Sequence, residues 1–276
     1  MQEICETENK AFWELVMEEE ANEKQNSHEE VFEMMRSMYR AMVQADENYE
    51  DRRSASQMTG GAGELMAKWN RDEKTLSGPF LGQVMERALK MAESNACMKR
   101  IVAAPTAGSC GVLPAVMITY QKLEKCPEDE IVKALFVAAG IGQIIASRAS
   151  IAGAQGGCQA EIGSASAMTA GALVFLRGGS LQQIYEATAL ALKGLLGLVC
   201  DPVAGLVEVP CVKRNVIGAV NAVSCSDMVM AGITSFIPVD QVIDAMDEIG
   251  RNMPCQYKET SQGGLAVTPA GKSVVL

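Results

Sequence analysis

The sequence predicts an all-α protein: a helical main domain with central buried helices, preceded by an N-terminal helical arm. Two observations carry the fold class. Apolar residues recur every three to four positions almost throughout the chain. Alternating runs of strand type are nearly absent, and no strand, glycine-rich turn and helix follow one another as in a dinucleotide-binding unit. A third observation bounds its size: 276 residues with 48% hydrophobic and 21% charged content are enough to bury a sizeable core.

Taken in order, Val31, Phe32, Met34, Met35, Met38, Tyr39, Met42 and Val43 make one wide apolar stripe with charges opposite, the mark of an amphipathic helix. A second such helix runs from about Phe80 to Ala92 through Leu81, Val84, Met85, Ala88 and Leu89. Between them TGGAGELMAKWN carries Gly60, Gly61 and Gly63, which read as a hinge or tight turn. Residues 1–60 are therefore expected to form an arm packed on its neighbours, and residues 61–276 the main domain, the two making one globular unit. His28, the only histidine, falls in the polar arm.

From Ile101 onward small and apolar residues replace the charges. Pro127 followed by Glu128, Asp129 and Glu130 starts a helix, with proline in the first turn and acids at the positive end of the dipole. Ser180 caps the next, whose apolar run extends to Cys200. Both are apolar round nearly their whole circumference, so both are expected at the centre. Further helices are expected at 112–125, 160–176, 212–233 and 239–249, the last ended by Gly250. Gly140, Gly142, Gly163, Ala165, Gly171 and Gly194 let helices approach closely.

The formal net charge of −10 argues against a nucleic-acid or anionic-membrane surface, which needs clustered lysine and arginine. Glu3, Glu6 and Glu8 stand where a signal peptide carries basic residues, and no run approaches 18 uninterrupted apolar residues. Nine cysteines without an export signal point to a reducing, cytoplasmic setting and to metal or redox use.

Three of them stand apart. Cys158, Cys200 and Cys211 each sit beside residues that bend the backbone: Gly156-Gly157, Asp201-Pro202 and Pro210. Roughly 40 and roughly 10 residues separate them, far wider than the C-x2-C knuckles of zinc ribbons. If the fold joins them, three soft ligands on rigid corners suit an iron–sulfur cluster with one iron left open as a Lewis acid. Buried inert thiols are the plainer reading of the same residues.

The blocks APTAGSCGVLPAV (104–116), GCQAEIGSASAMTAGAL (157–173), CDPVAGLVEVPCVKRNVIGAVNAV (200–223) and GGLAVTP (263–269) closely resemble the alpha chain of the iron–sulfur-dependent L-serine dehydratases, densest from about Ile101 to Gly271. The resemblance implies a [4Fe–4S] cluster held by Cys158, Cys200 and Cys211, and elimination of water from L-serine to give pyruvate and ammonia. It also turns the Pro105–Gly111 loop, by itself an ordinary helix cap, into a holder of the substrate carboxylate through backbone N–H groups and the Thr106 and Ser109 hydroxyls. Lys213, Arg214 and Asn215 follow the third cysteine closely; Arg214 can clamp a carboxylate, and Asn215 can donate to the serine or to a cluster sulfide. An equally good reading has them as a solvated first helical turn. The family usually has an acid where Lys213 stands, which argues against that position as the general base. Glu161, three residues past Cys158, is a candidate base or a partner to the cluster ligands. Cys110 reads as a packed thiol near the site, and Cys5 and Cys126 are expected to take no part.

Two departures from single-chain members matter. Their S-S-S-H-T segment has no match here beyond Asn26-Ser27-His28-Glu29, and the sequence ends Lys272-Ser273-Val274-Val275-Leu276 without a cysteine. Both features fit the split form of the enzyme, in which a separate beta chain supplies the missing domain. Other readings are a related iron–sulfur lyase acting on cysteine or another β-substituted amino acid, and a non-catalytic redox module with Cys255 as fourth ligand. A pyridoxal-phosphate enzyme lacks support, since no lysine stands in a Schiff-base setting.

Overall fold

The computed structural model describes Thr7 and residues 10–274. Glu3, Cys5, Glu6, Glu8, Val275 and Leu276 lie outside the described residues. Among the described residues there is no β-strand, only one isolated parallel bridge between Cys200 and Lys258.

The arm consists of α1 (Phe12–Lys24) and α2 (His28–Glu47). Ser27 starts α2 with a reciprocal cap: its hydroxyl accepts from Glu30 N at 3.2 Å while the Glu30 carboxylate accepts from Ser27 N at 2.8 Å. The apolar stripe of α2 turns inward, burying Val31, Tyr39 and Met42, and Phe12, Leu15 and Val16 of α1 join the same hydrophobic cluster as the central helices. Arg36 and Arg40 of α2 pair with Glu128 and Asp129 at the start of α6 (Glu128–Arg148). These pairs place cations on the arm against the acids that favour the first turn of α6.

The stretch expected as a hinge is mostly helical: α3 spans Ala62–Arg71. Gly60 (φ 132°) and Gly61 (φ 82°) turn the chain as expected, while Gly63 lies buried inside the helix against Tyr49 and Lys90. The buried Glu93 carboxylate accepts from Ala62 N and Gly63 N and anchors this helix start. The chain continues through α4 (Gly78–Ala96), α5 (Val112–Glu124) and α6.

At the centre lies α7 (Ser164–Leu176), buried from Ser164 to Val174 and packed by α5, α6, α8 (Leu181–Lys193) and α9 (Cys211–Met230). α6 is buried along most of its length, as its composition predicts. α8 is not: it buries one face, Ile184, Ala187, Thr188, Ala191 and Leu192, and leaves Gln182 exposed. It also stops at Lys193 instead of reaching Cys200, because Gly194 and Gly197 (φ 80°) bend the following apolar residues into turns. α10 (Val239–Asn252) runs past Gly250, which it keeps buried because the backbone of Gly156 packs against it at 3.1 Å from where a Cβ would stand. Among the described residues only α6 is long and apolar enough to cross a bilayer, and the core takes up 56% of its most apolar window.

Gly171 shows how tightly the centre is packed. A Cβ there would run into Ile141 Cδ1 and stand 3.2 Å from both Ile184 and Thr188. Gly171→Val is expected to lower stability by about 1–3 kcal/mol through overpacking, read as a fall in the urea unfolding midpoint.

Candidate functional site

The three singled-out cysteines converge at one end of the bundle. Cys158 follows Gly157 (φ 75°) and opens the helix that becomes α7; the first turn of that helix, Gln159–Gly163, is a π turn. Cys200 lies in the segment after α8, and Cys211 is the first residue of α9. All three are buried, at 2%, 2% and 8% exposure. The sulfurs of Cys158 and Cys200 and a carboxylate oxygen of Glu161 lie within 4.8 Å of one another. Cys211 is close enough to act electrostatically on the other two thiols.

Backbone bonds hold these turns. Cys200 N donates to Tyr257 O, and Glu259 N donates to Cys200 O, each at 2.8 Å, so a short extended pairing clamps the second cysteine. Gln159, 1% exposed, accepts from Gly197 N at 2.8 Å and donates to Met246 O at 2.9 Å, joining the π turn to the Cys200 segment and α10.

Arg214 ties the cysteine segments to one another. Its Nη1 donates to Cys158 Sγ at 3.4 Å and to Val199 O at 2.7 Å, and its Nη2 donates to Asp201 Oδ1 at 2.8 Å. Asp201 also accepts from Leu265 N at 2.8 Å, drawing in the GGLAVTP segment. A hydrogen bond from Cys200 and the charge of Arg214 pull the Cys158 thiol below the ordinary range, against the cost of burial. Cys200, as the donor in that bond and also buried, holds its proton more firmly than a free thiol. Burial pushes Cys211 up to about 12. Cys158 is thus the most acidic of the three thiols, and negative charge on the other two sulfurs calls for a cation in addition to Arg214.

Glu161 faces the thiols from the π turn. Burial raises its carboxyl above the ordinary value, while hydrogen bonds from Thr106 and from the Gly153 backbone oppose that shift. A Cβ at Gly153 would stand 2.8 Å from Glu161 Oε2 and 3.2 Å from Cys200 Sγ, so only glycine fits there. A Cβ at Gly108 would stand 3.3 Å from the same carboxylate oxygen, which sets the Pro105–Gly111 loop beside Glu161. The N–H groups of Ala107 and Gly108 open a 3-10 turn and make no hydrogen bond among the described residues. Ser109 is fully buried, its hydroxyl 3.1 Å from that of Thr106. Asn215 is used at both ends: its Oδ1 accepts from Gly111 N at 2.8 Å, and its Nδ2 donates to Gly108 O at 2.8 Å and Cys211 O at 3.0 Å.

The fold therefore brings Thr106, Ser109, Glu161, Arg214 and Asn215 to the cysteines. Lys213, in contrast, is exposed. Cys110 is a buried thiol donating to Met91 O at 3.8 Å, pushed up to about 12 by burial, and Cys255 is exposed. Sequence reasoning read Asp201 only as a turn residue and gave Gly153 no role. The glycine run before Cys158 did carry a usable signal, since glycine is needed where a backbone passes close to another group.

Residues 7–266 match the family described as Serine dehydratase alpha chain. The probable L-serine dehydratase alpha chain of Bacillus subtilis is 46% identical over 263 residues, covering 94% of this chain and 86% of that protein. The L-serine dehydratase alpha chain of Peptoniphilus asaccharolyticus is 37% identical over 274 residues, covering 99% and 94%. The L-serine dehydratase TdcG of Escherichia coli is 45% identical over 182 residues, which are 65% of this chain but 40% of that protein.

The raised carboxyl of Glu161 gives a signed pH dependence. A group whose folded pKa lies above its unfolded value contributes stability below the ordinary value of 4.5, and that contribution is lost as pH rises through the raised value. Glu161→Gln cannot ionise and avoids the loss. The variant is expected to be more stable than the natural chain at pH 8 and to lose that advantage below pH 4.5, read by urea unfolding at both pH values.

Proposed function

This chain belongs to the serine dehydratase alpha chain family, and from that premise we propose that the Cys158, Cys200 and Cys211 pocket, with Glu161 and the Thr106 loop over it, is where L-serine is dehydrated. The enzyme is a lyase that eliminates water from L-serine; the resulting enamine tautomerises and hydrolyses to pyruvate and ammonia. The observation that carries the site assignment is the convergence of buried sulfurs and the raised Glu161 carboxyl within 4.8 Å.

The donor set fits a [4Fe–4S] cluster. Three buried soft donors gather at one end of the bundle, the most acidic of them at Cys158, with Arg214 opposing the charge that the others would add. When bound through three thiolates, such a cluster offers one open iron as a Lewis acid for the departing hydroxyl, which is otherwise a very poor leaving group.

The chain's own groups do the rest. Glu161 takes the α-proton, a role suited to a carboxyl whose basicity burial has raised. Thr106 keeps that carboxylate turned toward the loop, and Ser109 holds the Thr106 hydroxyl in place. The N–H groups of Ala107 and Gly108 receive the serine carboxylate. Asn215 fixes the loop to α9, and Arg214 steadies negative charge on the Cys158 sulfur. All eight described cysteines are free thiols, which suits the cytoplasm. A separate beta chain closes the pocket against water: the Escherichia coli relative carries a further 60% of its length that this chain does not match.

Two outcomes test the reading. Anaerobically reconstituted Cys158→Ala, Cys200→Ala and Cys211→Ala should each lose the brown chromophore and pyruvate formation, whereas Cys126→Ala should keep both. Full iron content in any of the first three would overturn the ligand assignment. Glu161→Gln should retain its iron yet lose about 10²–10⁴ in kcat for serine, as expected for a missing general base. If it loses iron instead, Glu161 is a ligand.

A further inference from the structure

The turn that carries Cys211 is gripped from a side remote in sequence. Glu208, three residues before Cys211, is 5% exposed, and among the described residues no lysine or arginine lies within ion-pair distance of it. Its Oε2 accepts two hydrogen bonds, from Ser54 Oγ and Ser56 Oγ, both at 2.6 Å. A buried carboxylate without a cation is costly unless strong hydrogen bonds hold it, so its position follows that of its donors.

Those donors are themselves fixed. Ser54 N donates to Thr59 O at 2.9 Å, Gln57 N to Ser54 O at 3.0 Å, and Met58 N to Ser56 Oγ at 3.1 Å, which closes residues 54–59 into a loop by its own bonds. At the other end, the carbonyl of Glu208 accepts from Val212 N at 2.9 Å, in the first turn of α9. The carboxylate is thus joined to the 54–59 loop and the backbone of the same residue to the helix that Cys211 opens.

We propose that Glu208, held by Ser54 and Ser56, is a positioning residue for Cys211, so that the segment leading into α3 sets where the third thiol stands. The functional meaning of this rests on Cys211 serving the site as described above, but the test requires neither cluster nor turnover. In the full chain, cluster-free, reduced and anaerobic, each cysteine is alkylated with limiting iodoacetamide and its rate read by mass spectrometry. In Ser54→Ala/Ser56→Ala and in Glu208→Ala, Cys211 should react about tenfold faster or more, corresponding to about 1.4 kcal/mol of easier local opening, while Cys158 and Cys200 change by less than about threefold. Glu208→Gln keeps an oxygen that accepts from both hydroxyls and should stay near the natural rate. An unchanged Cys211 rate overturns the proposal, as does an equal rise at all three cysteines with a lower unfolding midpoint, which would mark a general loosening. Failure of the natural chain to bind iron would count against the cluster reading alone and leave the alkylation result standing.

Discussion

The site depends on one buried guanidinium. Arg214 stands one turn into α9, beside Cys211 in sequence, and its side chain reaches the first cysteine directly and both neighbours of the second. Three segments that share no local sequence logic are therefore organised round one cation. Its partners, a polarised thiol, a carbonyl and the buried Asp201 carboxylate, need that charge as much as it needs them. Removing Arg214 leaves an uncompensated carboxylate in the interior, which is why a pair like this behaves as all or nothing. Asp201 passes the constraint on to Leu265 N, so the segment from Gly263 to Val267 is held against the residue that follows the second cysteine.

What could be read from the sequence was whatever short-range chemistry decides. The acids after Pro127 and the Ser180 cap mark helix starts because a dipole and an orphan N–H act within one turn, and both helices begin there. Glycine was less legible. Gly63 and Gly250, read as turn and stop signals, lie inside helices because of what packs against them, the Lys90 and Tyr49 side chains and Gly156, and no local pattern announces a neighbour that arrives from a distant part of the chain. The same distinction separates the cysteines from their supports. Bending residues around Cys158, Cys200 and Cys211 were visible, but the approach of the Gly108 loop to Glu161 and the reach of Arg214 exist only once the helices are packed.

The site also shows stability given up for chemistry. The Glu161 carboxyl, raised by burial, costs free energy wherever it must ionise, and Cys200 and Cys211, raised likewise, cost it whenever they become thiolates. They are tolerated because α7 and its four packing partners supply a deep apolar centre immediately behind them. The polar end of the bundle can be strained because the other end is not.

The π turn at Gln159–Gly163 has a consequence for how this active site can change. It lies within one continuous helix, between Cys158 at one end and the buried body of α7 at the other. A π turn holds one residue more than the α-helix needs, and each residue of an α-helix turns the chain by about 100°. Deleting one residue of that turn would close it to an ordinary α-turn and leave Cys158 and α7 in nearly their present phase, while the side chains the wide turn now presents, Gln159 and Glu161, would be re-aimed. Substitutions can tune this site one contact at a time, whereas a single-codon deletion would re-aim the residues of the turn and spare the cysteine and the scaffold on either side.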